Sequence, residues 1–95
     1  MDLSGQSLTS VPSEVFEKYP RLKKINLRNN KFSEFPYELS RLKEIRTILL
    51  SNNRIDTLLA SELARFDVLE VLDLDNNQIR ILQNIKNWDN LKMIT

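Results

Sequence analysis

Three asparagines, Asn30, Asn53 and Asn77, close three similar apolar runs in this chain of 95 residues. A carboxamide carries two donors and an acceptor, so three matched copies suit either a binding ladder or a set of structural clamps. The clamp reading is the stronger, because buried polar groups must be hydrogen-bonded. If the chain leaves a strand and turns at each asparagine, the amide satisfies the backbone groups stranded there. Asp73 and Asp75 are the closest approach to a carboxylate pair. On one strand face they stand about 7 Å apart, with Asn76 and Asn77 following. A calcium site needs about six to eight oxygen ligands, so an acidic interaction surface is the better reading and no metal is expected. Histidine and cysteine are both absent, which removes the commonest general base and the thiol nucleophile. The single glycine, Gly5, excludes a glycine-rich phosphate loop. No catalytic constellation emerges, and neither enzyme activity nor a cofactor is expected.

Composition narrows the partners. Fourteen basic residues against 13 acidic ones give a net charge of +1, which supplies no field for nucleic acid or an anionic membrane. A chain without cysteine has no disulfide framework and suits a reducing compartment. Met1-Asp2-Leu3-Ser4-Gly5 lacks the basic start and apolar core of a signal peptide, and no apolar run approaches the ~18 residues of a membrane span. The expected setting is intracellular and cytoplasmic. The length suits one domain, spanning residues 1–95.

The elements that position these residues follow from a repeat. Leu22-x-x-Ile25-x-Leu27-x-x-Asn30-x-Phe32, Ile45-x-x-Ile48-x-Leu50-x-x-Asn53-x-Ile55 and Leu69-x-x-Leu72-x-Leu74-x-x-Asn77-x-Ile79 share one pattern. Partial copies flank them: Met1 to Leu8, entering at the second apolar position with Gln6 where asparagine is expected, and a fifth beginning at Leu91. The starts at Leu22, Ile45, Leu69 and Leu91 lie 23, 24 and 22 residues apart. Within each copy a stretch such as Lys24-Ile25-Asn26-Leu27-Arg28 alternates polar and apolar, the period of a half-buried strand. One such strand cannot bury its apolar side alone, and stacked equivalents form a parallel sheet with every leucine inward. Gln6, with its longer arm, predicts a looser first turn.

The pattern and its period of about 20–29 residues resemble the leucine-rich repeat family along the whole chain. Leu8-x-x-Val11-Pro12-x-x-x-Phe16 looks like the 24-residue form, Phe32-x-x-Phe35-Pro36-x-x-Leu39 like a 23-residue form, and the stretch from Ile79 is similar to the 22-residue form of phosphatase-regulatory members. The resemblance implies an α/β class, a right-handed solenoid with a concave parallel sheet and with turns, short helices and 3-10 segments on the convex side. Val11, Phe16, Tyr19, Phe35, Leu39, Leu42, Leu58, Leu63, Phe66, Leu82, Ile85 and Trp88 are then expected to seal the core on the convex side. Ile81 falls outside that spacing and is left either exposed or locally shifted. The resemblance also implies a protein partner, such as a phosphatase, a small GTPase or a cytoskeletal assembly.

Specificity must come from what the repeats do not use. Lys24, Asn26, Arg28, Thr47, Leu49, Ser51, Val71, Asp73, Asp75 and Met93 project from the expected concave face. Lys24 and Arg28 make one side basic, and Asp73 and Asp75 make the other acidic. Leu49 breaks the alternation, and with Val71 and Met93 it predicts a small apolar centre ringed by charge, the anatomy of a protein interface. The leading expectation is a protein-interaction module that binds on this face. The alternative is a purely structural segment of a longer solenoid, and extracellular-type sensing is a third reading. Met1 and Thr95 both fall within strand positions, which suggests an excerpt from a longer stack and possible end-to-end self-association through uncapped terminal repeats.

Overall fold

The computed structural model describes residues 1–81 and 93–94. Four short strands, β1 (Lys24–Asn26), β2 (Thr47–Leu49), β4 (Val71–Asp73) and β6 (Met93–Ile94), form one parallel sheet in the order β1-β2-β4-β6. Asp2 adds a single parallel bridge to Asn26, so the first partial repeat continues the ladder. Each strand lies one coil beyond the last, and the register keeps equivalent residues side by side: Ile25 opposite Ile48, and Ile48 opposite Leu72.

The alternation in sequence explains which side is buried. Ile25, Leu27, Ile48, Leu50 and Leu72 are fully enclosed, and Leu74 is buried. On the far side the chain returns through α1 (Glu14–Lys18), a 3-10 turn (Tyr37–Arg41) and α2 (Ala60–Leu63). Pro36 opens the 3-10 turn, where its fixed φ and missing N–H cost nothing. Val11, Val15, Phe35, Leu39, Leu42, Leu58 and Leu63 come from these segments into the same core, each contributing about 1.5–3 kcal/mol when fully buried.

One expectation for the far side needs correction, that for Tyr19, while Phe16 and Phe66 do pack against the core without being fully buried. Tyr19 is 50% exposed, because α1 ends at Lys18 with Tyr19 as its C-cap, and Val15, one turn earlier, fills the core instead. Phe16 is only partly buried and lies beneath the Arg41 guanidinium, 4.5 Å from ring centroid to carbon. Phe66 is likewise partly buried, its ring edge-on to Phe35 at 6.0 Å. The returning segments also hold strands that the repeat pattern does not reveal: β3 (Thr57–Leu58) pairs in parallel with β5 (Arg80–Ile81), placing the Ile81 backbone opposite Leu58. Leu82, Ile85 and Trp88 lie outside the described residues.

Candidate functional site

The outer face of the sheet, expected to be concave, is organised in rows that run across the strands. In the first row stand Lys24, Thr47, Val71 and Met93, paired successively in register. In the second stand Asp2, Asn26, Leu49 and Asp73. Two residues further along come Arg28, Ser51 and Asp75, whose carbonyls accept the Gly5, Asn29 and Asn52 amides.

The second row is occupied with holding the backbone. Asn26 Oδ1 accepts the Arg28 amide at 3.1 Å, and Asp73 Oδ1 accepts the Asp75 amide at 3.2 Å. Asp2 Oδ1 accepts both the Ser4 hydroxyl at 2.7 Å and the Ser4 amide at 3.0 Å. The hydroxyl bond first, and then the amide bond, hold the Asp2 carboxyl below its ordinary range, since both favour the charged form. These are side-chain turns that mimic a backbone turn two residues on. Among the described members of the row, only the Leu49 side chain has no acceptor.

Leu49 does not stand as an exposed apolar anchor. It is 8% exposed, yet it is absent from the contiguous core cluster, because it lies on the other face of the sheet. Arg28 explains the cover. Its Nη2 and Nε donate to Asp73 Oδ2 at 2.9 and 3.2 Å, joining residues two strands apart. Strands are spaced by about 4.8 Å, so the arginine must cross the coil of β2, passing Leu49 at the strand's end and Ser51 just beyond it, both buried. The expected division into a basic and an acidic side is corrected by the same bond: Arg28 and Asp73 neutralise one another, with side chains 41% and 12% exposed. Asp73 therefore spends one oxygen on Arg28 and the other on a backbone amide, which removes it from any calcium site with Asp75.

What stays uncommitted is the first row. Lys24 is exposed, and Thr47 and Val71 are half-buried. Among the described residues none of these three side chains enters a hydrogen bond or ion pair, while Met93 is placed by its backbone pairing with Val71. Asp75 is exposed at the end of the third row.

The asparagines below these rows bind backbone. Asn53 Oδ1 accepts the Phe32 amide at 3.0 Å, and Nδ2 donates to the Leu27 and Leu50 carbonyls at 3.1 and 3.0 Å. Asn77 repeats this with the Ile55 amide and the Leu50 and Leu74 carbonyls. Asn30 accepts both the Gln6 and Leu8 amides and donates to the Leu3 and Leu27 carbonyls. The turn at Gln6 is thus held from the next coil, with the Gln6 side chain exposed. One residue earlier, Gly5, Asn29, Asn52 and Asn76 all adopt a left-handed backbone, with φ between 56° and 65°. Glycine and asparagine are the residues that tolerate it. Asn29 and Asn52 also bond to each other, Nδ2 of Asn52 donating at 2.8 Å.

A turn stitched by asparagine between stacked parallel strands defines a solenoid, and the comparisons identify which. The leucine rich repeat family model matches residues 1–55, and a second leucine rich repeat model matches residues 68–88. This chain belongs to the leucine-rich repeat family. It is similar to a probable inactive serine/threonine-protein kinase, roco10, of Dictyostelium discoideum, 32% identical over 99% of this chain. It is similar to mouse Toll-like receptor 7, at 34% over 81%, and to human leucine-rich repeats and immunoglobulin-like domains protein 1, at 30% over 88%. The match spans only 4%, 8% and 8% of those proteins' lengths. Leucine-rich repeat domains generally mediate protein–protein interaction. Among the described residues no helix is long and apolar enough to cross a membrane.

Proposed function

We propose that this chain is a protein-interaction module whose partner lies across the outer face of the sheet, along the row Lys24, Thr47, Val71 and Met93. One observation carries the reading. The three described side chains of that row have no structural duty, whereas the neighbouring row is engaged in turns and in the Arg28–Asp73 pair. The row presents a cation, a hydroxyl and an apolar side chain at strand spacing on a rigid sheet, a mixture that suits a protein interface. Arg28 borders it. Its Nη1 group makes no bond among the described residues, so a partner's acceptor can meet the guanidinium without breaking the pair.

Leu49→Asp is a poor test of this reading, because a carboxylate beside Asp73 would disturb the sheet itself. Thr47→Arg with Val71→Glu changes the row and leaves the second row intact. A photo-crosslinking residue at position 24, exposed in the same row, should capture partner protein from cell extract, with the same residue at Glu17 on α1 as control. The double change should abolish capture while the melting transition stays within a few degrees. Capture from position 17 together with survival of the double change would turn the reading toward a spacer in a larger stack.

A further inference from the structure

On the side that the chain reaches after each asparagine turn, a cavity of about 350 Å³ opens between the second and third coils. Phe35, Tyr37 and Leu59 supply its apolar wall, and Glu34 and Asp56 stand on its lining. The wall is braced. The Phe35 and Tyr37 rings lie 5.0 Å apart with a 42° tilt, and Phe66 backs Phe35 edge-on at 6.0 Å. The Tyr37 hydroxyl accepts the Leu59 amide at 3.0 Å, which ties the second coil to the third and leaves the phenol hydrogen free to donate. Both carboxylates are exposed, and among the described residues neither makes an ion pair or a side-chain hydrogen bond. Among the described residues of the lining none is basic.

We infer that this cavity takes an arginine side chain from a partner protein. A guanidinium combines the two properties that the walls call for: a planar face that stacks on an aromatic ring, and a fork of donors for carboxylates. An acidic group would be repelled by Glu34 and Asp56. An apolar group would dehydrate both carboxylates without giving either a partner. The site is built from residues beyond the asparagine turns and shares none with the outer sheet row, so it stands or falls separately from the proposed interaction face.

The test is a titration of the full chain, labelled with nitrogen-15, with Nα-acetyl-arginine amide. The neutral citrulline analogue serves as the isosteric control. Saturable shifts are expected at the Ser33, Thr57 and Leu59 amides, with citrulline binding weaker by about tenfold or more. The Glu34→Gln, Asp56→Asn double variant should lower arginine affinity by about the same factor. Both side chains are exposed and unpaired, so amides remote from the cavity should keep their positions. The citrulline comparison on the unaltered chain decides the matter even if the variant misfolds. Equal binding of citrulline, no saturation, or saturable shifts confined to other residues would overturn the inference, as would unchanged affinity in a folded double variant.

Discussion

Asn53 makes three well-formed bonds to backbone groups of two coils, and it is buried. Removing its amide leaves the Phe32 amide without its acceptor inside the stack, while the Leu27 and Leu50 carbonyls keep only the amides of Asn30 and Asn77. A buried group left unsatisfied costs about 1–3 kcal/mol, so Asn53→Ala should lower the unfolding free energy by that order, read as an earlier denaturant midpoint at unchanged slope. Asn77, whose corresponding bonds are less enclosed, should cost less when altered in the same way, because water can replace the amide. An unchanged midpoint in Asn53→Ala would show that the turn holds without its clamp. The asparagine just before it acts through a different property. Asn52 sits at φ 59°, where alanine is strained by about 1–2 kcal/mol and glycine is not, so the two residues of one Asn-Asn pair serve the turn in separate ways.

At the scale of the element, the first coil shows how a short strand is held by its side chains. The bonds from Ser4 lower the Asp2 pKa relative to the unfolded chain, so their contribution to stability is fully present above the ordinary aspartate value of about 3.8. It is lost as pH falls through the lower folded value. Acidification through that window should therefore lower the protection of the Ser4 and Leu3 amides, relative to their intrinsic exchange at each pH, before the central coils respond, and Asp2→Asn should flatten the effect. A central coil that loosens at the same pH as the first would contradict this origin. The repeat made the strands and their inward leucines legible, because a period of two and a spacing of 22 to 24 residues are properties of the sequence itself. Leu49 was legible as a breach of alternation but not as a covered residue. Its cover comes from Arg28, which reaches Asp73 45 positions away, and no local pattern encodes that crossing. The left-handed series had a signal available: aligning the repeats puts the only glycine, Gly5, beside Asn29, Asn52 and Asn76. Tyr19 shows the opposite failure, since its apolar spacing continued past the point where α1 stops.

In the whole molecule each coil rests on its neighbours, so a solenoid of this size divides its stability unevenly. Ile48 lies on the middle of three consecutive strands and is fully buried between Ile25 and Leu72. Leu3 belongs to the first coil, is only partly buried, and is held by the Leu3 and Gly5 amides donating to the Asn26 and Arg28 carbonyls. Deleting a buried aliphatic side chain to alanine costs about 2–5 kcal/mol, and a half-exposed one less, because part of its surface already meets water. Ile48→Ala should therefore weaken the stack as a unit, lowering protection of the Leu3, Leu27 and Leu50 amides together. Leu3→Ala should release the first coil alone. Its Leu3 and Gly5 amides should exchange faster, while Leu27 and Leu50, bonded to the Leu49 and Asp73 carbonyls, keep their protection. Native-state hydrogen exchange reads both outcomes on the same peptide groups. A uniform loss of protection in Leu3→Ala would mean that the coils are coupled more tightly than their nearest-neighbour contacts imply. In that case a partner bound across β1, β2 and β4 would stabilise the first coil as strongly as the strands it touches.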